Sequence, residues 1–273
     1  MALPFSARAR RLGKDVYFGS LRTLGVTGLK RRFQDAGLVL CYHNVVGDDE
    51  ADAGDLGLHV PRERFESHMR WLVERYTVLP LDRFVDRIVS GSALRSIAAV
   101  TFDDGYAGVF EHAAPILSAL AVPATVFLVA GAVGTRARFP WDGTSSHQPA
   151  DWSTVRAGLR HGIAVGAHSI THPSLPALTD AQLEDEIVGS REILHQATGV
   201  RPEFFAYPFG RWDARVRAAV EGAGYRAAFT LDYGLNGSGA DPWAIRRVNV
   251  PAEISDRQLE TWAGGFHRLR RAG

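Results

Sequence analysis

The sequence predicts an α/β protein in which a mostly parallel sheet closes into an irregular (β/α) barrel. Three observations predict it. From residue 38 onward, short apolar runs alternate with segments of helical spacing, the pattern of repeated strand–helix units. No internal repeat, low-complexity tract or linker cuts the 273-residue chain, a length common for one barrel. The residues able to carry chemistry, His43, Asp103, Asp104, His168, His172 and Pro208, all fall at the C-terminal ends of strand-like runs, where barrels of this kind gather their sites.

The elements follow in order. Leu38 to Val46 reads as a first strand, and the acidic, glycine-rich stretch 47–57 as a loop. Phe65, Met69, Leu72 and Val73 keep helical spacing after Pro61, which suits a first turn. Tyr76 to Leu81 reads as a strand, and Phe84, Ile88 and Val89 mark a short helix. Ile97 to Phe102 is an apolar run ending in two carboxylates, and a helix through Val109, Ala113, Ile116 and Leu120 follows it. Thr125 to Ala130 is a strand, and residues 131–150, aperiodic and rich in turn formers, read as an exposed loop. A helix from Trp152 to Leu159 precedes the strand Ile163 to Ala167. The strongest helix is Asp180 to Thr198, with Leu183, Ile187, Ser190, Ile193 and Leu194 on one side and Gly199 to stop it. A strand at Phe204 ends in the turn Tyr207-Pro208-Phe209-Gly210, followed by a helix (Ala214 to Gly222), strands at Ala227 to Leu231 and Ile245 to Val250, and a closing helix from Ser255 to Leu269.

Composition narrows the function classes. With 46% hydrophobic residues the chain buries a sizeable core. Its 31 basic against 30 acidic side chains argue against a nucleic-acid binder. One cysteine, Cys41, excludes an intrachain disulfide and a thiolate cluster; inside an apolar run it reads as an inert core thiol. A metal site must therefore use imidazoles and carboxylates. No run approaches the ~20 apolar residues of a membrane span. Residues 1–36 form a basic, amphipathic N-terminal extension to a domain of residues 37–273. Two readings of it stay open: a helix packed on the domain with a solvated basic face, or a surface that touches anionic lipid or a synthesis complex. The expected location is the cytoplasmic side, peripheral to the membrane.

Two stretches carry the chemistry. In Thr101-Phe102-Asp103-Asp104-Gly105, adjacent carboxylates close a buried strand, where mutual repulsion and lost hydration call for a positive partner. In His168-Ser169-Ile170-Thr171-His172, two imidazoles sit four residues apart at the end of another apolar run. Two imidazoles and one carboxylate are a catalytic type of zinc set, leaving coordination positions open. Spacing alone leaves a pair of core histidines as the alternative.

Together these stretches resemble the first two motifs of the polysaccharide deacetylases (carbohydrate esterase family four), and Phe205-Ala206-Tyr207-Pro208-Phe209-Gly210 resembles their third. The resemblance covers roughly residues 38–250, and Leu40-x-Tyr42-His43-x-Val45 is similar to the opening strand of the branch acting on poly-N-acetylglucosamine and related exopolysaccharides. It implies that family's irregular barrel. It implies that Asp104, His168 and His172 hold one divalent metal ion, Zn2+ with Co2+ or Ni2+ as alternatives. Asp103 would be the general base, and the backbone N–H of Phe209 would help bind an oxyanion. The implied substrate is an N-acetylated glycan, deacetylated during assembly or modification of a cell-surface polymer. The alternatives are another amide or a cyclic imide on the same scaffold, or a non-catalytic place in a polysaccharide-synthesis complex.

The chain departs from the pattern twice. The late Leu-x-His motif is missing from Ile245 to Val250, and His267 falls in the expected last helix; the resemblance to the exopolysaccharide branch, where an early strand histidine takes this role, implies His43 as the general acid, against a core role beside Tyr42. The arginine that steadies the base in the third motif is replaced by Ala206, and Arg211 or Arg247 is left to substitute. Trp141, Trp152, Tyr207 and Trp212 are either a stacking surface for sugars or ordinary packing.

Overall fold

The computed structural model describes residues 34–48, 57–135, 139–143 and 147–266. Strands β1 (Ala36–Tyr42), β5 (Ile97–Phe102), β6 (Ala124–Leu128), β7 (Ile163–Ala167), β8 (Phe204–Ala206), β9 (Ala227–Tyr233) and β11 (Ile245–Asn249) close into a barrel of seven parallel strands. Closure comes from β1, which pairs with β5 along Leu38–Tyr42 and with β11 at Leu40 and Cys41. Two short strands lie at the rim: β4 (Thr77–Val78) extends β5, and β10 (Asn236–Gly237) runs antiparallel to the start of β1.

The single strand expected over residues 38–46 is two. It breaks at His43, and β2 (Asn44–Val46) leaves the barrel to pair with β3 (His59–Pro61). The break puts His43 at the C-terminal mouth of β1. Among the described residues seven helices pack on the barrel: α1 (Arg62–Val73), α2 (Leu81–Val89), α3 (Ala114–Ala119), α4 (Trp152–Arg160), α5 (Asp180–Thr198), α6 (Ala214–Gly222) and α7 (Asp256–Ala263). α3 is entered through a π-helical turn over Val109–Ala113. α5 matches the expected span, because Thr179 and Gln182 form a capping box and Gly199 closes the helix at φ 75°. The expected last helix ends earlier, at Ala263, and His267 lies outside the described residues.

Strand alternation separates two buried layers. Val39, Ala99, Phe127, Ala206, Phe229 and Ile245 pack with Leu81, Phe84, Val85 and Ile88 of α2, which plugs the N-terminal end of the bore. Their strand neighbours, such as Leu38, Leu40, Val100 and Val126, pack outward against the other helices. Gly166 belongs to the bore: a Cβ there would stand 2.4 Å from the Phe127 ring. With one end plugged by α2, the bore offers its polar side chains to the other.

The loop expected to be exposed over residues 131–150 is instead partly a core element. Phe139, Asp142 and Ala150 are buried, and Phe139 packs against Tyr106 and Trp141 with ring centroids 4.6 and 4.8 Å apart. Trp141 of this loop lies at the C-terminal mouth, against Asp104 and His172.

Candidate metal and catalytic site

Three turns build the mouth. After β5 the chain makes Asp103 N–H donate to Tyr42 O (2.9 Å), which keeps it aligned with β1, and then swings Asp104 into a left-handed conformation at φ 70°. After β7, His168 continues the ladder by donating its N–H to Leu128 O (2.9 Å), while Ser169 and His172 adopt φ 64° and 60°. After β8, Phe209 sits at φ 58°. Four of the six described non-glycine residues with positive φ, Asp104, Ser169, His172 and Phe209, thus stand at this one mouth, where strain is held by surrounding contacts. The His168–His172 segment is therefore a loop, not the helical turn its spacing suggests. Glu186 of α5 fixes it by accepting from the N–H groups of Ile170 (2.7 Å) and Thr171 (2.9 Å), and Ser169 Oγ accepts from His172 N–H (2.9 Å).

These turns bring Asp104, His168 and His172 together. Asp104 Oδ1 lies 3.6 Å from the Nε2 atom of each imidazole, and the two Nε2 atoms are 3.2 Å apart. His168 Nδ1–H donates to Ala206 O at 2.7 Å, so its Nε2 presents a bare lone pair to the centre. Asp104 Oδ1 is buried with no hydrogen-bond donor. Two nitrogen lone pairs and a carboxylate oxygen this close repel unless something positive lies between them. Donors ~2.1 Å from a tetrahedral cation stand about 3.4 Å apart, so the three atoms fit a divalent metal ion without rearrangement. The residues that fit are those expected. Burial pushes Asp104 up to about 8, Asp103's charge adding to it, and burial lowers both imidazoles. A cation removes both penalties.

Asp103, beside them, faces the other way. Its two oxygens accept from Arg247 Nη1 (2.7 Å) and Nη2 (2.6 Å), a bidentate pair with both partners fully buried. Burial alone would raise the carboxyl, but the guanidinium outweighs it and holds Asp103 well below the usual carboxylate range. Of the two candidate arginines the structure brings only Arg247 to Asp103. Arg211 instead lies over the Phe209 ring, 5.7 Å from its centroid. Arg247 alternates with exposed Arg246 and shares the inward face of β11 with Ile245, so it points into the bore, where its Nε also donates to Thr230 O (2.9 Å). Cys41 Sγ lies 3.5 Å from Asp103 Oδ2, fully buried, its thiol pushed up by burial, as befits an inert core group.

His43 is buried at the same mouth, its Nδ1 without a hydrogen-bond partner. Burial lowers it to about 4 against the pull of Asp103, with Arg247 and His168 pushing the same way as burial. Phe209 is 45% exposed and sets its ring edge-on to His172 at 4.4 Å. The four aromatic candidates divide. Tyr207 is buried, donates to Trp243 O (3.0 Å) and stacks on Trp212 at 5.8 Å, so it packs. Trp152 also packs against the core. Trp141 has a role that its residue type does not reveal: its indole Nε1–H donates to Asp104 Oδ2 (3.1 Å), and its ring stacks on His172 at 3.9 Å.

Among the described residues no helix is long and apolar enough to cross a membrane, and no second group of three potential metal ligands occurs. The basic extension of residues 1–36 lies almost wholly outside the described residues.

Comparison with known proteins agrees with this architecture. Residues 91–228 match the family model described as polysaccharide deacetylase. The Bacillus subtilis (strain 168) protein YxkH is 25% identical over 219 residues, covering 80% of this chain and 72% of the relative. A Staphylococcus aureus (strain N315) poly-beta-1,6-N-acetyl-D-glucosamine N-deacetylase is 23% identical over 215 residues, covering 76% of this chain and 73% of the relative. The structure of IcaB from Ammonifex degensii superposes with a TM-score of 0.71 at 23% identity, covering 85% of this chain and 98% of the other, and shares the fold.

Proposed function

The chain belongs to the polysaccharide deacetylase family, and from that membership we propose that it hydrolyses the acetamide of N-acetylated amino sugars in a poly- or oligosaccharide of the cell surface. The observation that carries the proposal is the pairing of two carboxylates with opposite surroundings: Asp104 aimed at two imidazoles, Asp103 clamped by Arg247. Adjacent acids whose environments drive them apart in proton affinity are the mark of divided labour.

Asp104, His168 and His172 would hold a divalent cation, Zn2+ by donor type, with Co2+ or Ni2+ as substitutes. When bound, the cation supplies Lewis acidity toward water and toward the acetamide oxygen. The chain's own groups do the rest. Asp103, ionised at any working pH, takes a proton from the attacking water. Its low proton affinity makes it a weak base, and what the Arg247 clamp contributes is a fixed carboxylate plane, so orientation replaces basicity. The Phe209 N–H is the proposed donor to the developing oxyanion. His43 is the proposed acid for the leaving amine. At about 4 it is neutral at rest, so it gains its proton only as negative charge builds beside it.

Acetate release from a panel of N-acetylated glycans, with and without a chelator, tests this reading. Release from one glycan that chelator stops and Zn2+ restores is expected; chelator-resistant release, or none from any member, overturns it. His43→Ala is expected to lower turnover by about 10²–10³-fold with Zn2+ content unchanged, since a positioned acid contributes of that order. An unaltered rate would send the amine's proton elsewhere. Catalysis is assigned to residues 37–273. Contact of the basic extension with anionic lipid or a synthesis complex belongs to the same proposal, and membrane flotation with and without residues 1–35 tests it.

A further inference from the structure

The two candidate imidazole ligands are held in different ways. His168 has the support a metal-ligating histidine ordinarily has, an acceptor on its far ring nitrogen, here Ala206 O. His172 does not: its Nδ1 is buried with no hydrogen-bond partner. What fixes its ring is aromatic surface, with Trp141 stacked on one face (3.9 Å, 28°) and Phe209 edge-on at 4.4 Å. The same indole donates its Nε1–H to Asp104 Oδ2 at 3.1 Å. That bond occupies one carboxylate oxygen and leaves Oδ1 alone to face the imidazoles. One side chain thus touches two of the three candidate ligands and sets the direction of both.

Trp141 sits on an otherwise irregular loop, so its own placement needs a cause. The next residue supplies it. Asp142 is buried, and both its oxygens are bonded: Oδ1 accepts from His59 Nε2–H (2.8 Å) and Oδ2 from Tyr106 O–H (2.9 Å). His59 Nδ1 in turn accepts from Asn44 Nδ2–H (3.1 Å), which puts the ring proton on Nε2, where Asp142 needs it. His59 comes from β3, Asn44 from β2, and Tyr106 from the turn that carries Asp103 and Asp104. With both Asp142 oxygens bonded from separate elements, this buried network ties the loop to the catalytic turn.

Resting on the metal-ligand reading above, we propose that Trp141 is a positioning residue for the cation's ligands and that the His59–Asp142–Tyr106 network exists to seat it. Metal affinity then depends on His59 and Asp142, neither of which touches a ligand.

Zn2+ affinity, measured on the full chain by competition with a chromophoric chelator, tests this alongside circular dichroism and the melting temperature of the chelated protein. Trp141→Phe keeps an aromatic face and removes the N–H. It is expected to weaken Zn2+ binding about 10- to 100-fold, the range for losing support behind a metal ligand, with the fold intact. His59→Gln, which keeps a donor toward Asp142, is expected to lose less than His59→Ala. A Trp141→Phe protein that binds Zn2+ like the wild type overturns the positioning role. A His59→Ala protein that melts lower yet binds Zn2+ unchanged overturns the network's part in it. Asp104→Ala separates these failures from failure of the underlying reading: if it too binds like the wild type, the ligand assignment is wrong, whatever Trp141 does.

Discussion

Asp104→Ala is expected to abolish Zn2+ retention and acetate release together, and to remove from the chelated protein's stability the share of its pH dependence that Asp104 supplies. The first effect follows from removing the only anionic donor of the three, which leaves two neutral imidazoles. The second follows from the sign of the shift. Asp104 is raised to about 8 in the fold from an ordinary 3.8, burial being the larger cause and the Asp103 charge the next. The folded protein therefore holds a proton that the unfolded chain releases near pH 4. The contribution of Asp104 to stability is greatest below that point, falls as pH rises toward 8 and levels off beyond, while the lowered imidazoles of His43, His168 and His172 contribute the opposite slope below 6.5. A buried carboxylate of this kind costs on the order of several kcal/mol at the plateau. Alanine removes the group and its share of the slope, whatever a small cavity does to the absolute value, and leaves the share of the imidazoles. Urea unfolding at pH 5 and pH 8 in chelator, for wild type and variant, reads the difference, and the variant is expected to gain on the wild type as pH rises. A variant that keeps wild-type metal content, or a difference between variant and wild type that is the same at both pH values, would remove Asp104 from its assigned place. The ligand set is thus a stability cost that the cation offsets, the ordinary trade between a preorganised site and a relaxed fold.

The parts of this site that were legible in the chain were those in which local pattern and chemistry coincide. An apolar run ending in Asp103-Asp104, another ending at His168, and a Tyr-Pro-Phe-Gly turn each announce a strand terminus bearing reactive groups. In a parallel barrel every strand terminus faces the same mouth, so topology alone brings them together. The α5 span was legible because its cap, stop and buried face agree. Arg247 was not separable from Arg211, because the choice rests on an ion pair with Asp103, 144 residues away in the chain, that the sequence around neither arginine marks. The break of the first strand at His43 depends on β3, which arrives only after the acidic stretch of residues 47–57. The loop of residues 131–150 looked like solvent-facing chain because it has no period. Its order comes from Asp142 finding His59, 83 residues earlier in the chain, and such a pairing leaves no local trace.

Arg247→Met is expected to destabilise the protein by about 3–5 kcal/mol, because it leaves Asp103 ionised and buried without its partner. The guanidinium does more than neutralise: it bridges Thr230 O, Thr101 Oγ1 and both Asp103 oxygens, and stands 5.6 Å from the Phe127 ring centroid. Arg247→Lys keeps the charge and loses the fork, so its stability is expected to lie between the two. Asp103→Asn/Arg247→Met, which removes both charges, is expected to recover much of the loss, since a buried ion pair is worth far less than either of its halves alone is harmful. Turnover separates the catalytic role from the structural one. Asp103→Asn should retain Zn2+ and lose about 10²–10⁴-fold in kcat, and the double variant, though more stable than Arg247→Met, should be as inactive as Asp103→Asn. In Arg247→Met the surviving activity should shift its acid limb to higher pH. Without the guanidinium, burial is left to raise the Asp103 carboxyl, so the base loses its charge at a pH where the wild-type group keeps it. An acid limb that stays in place while stability falls would make Arg247 a strut of the barrel and leave the orientation of the base to another group.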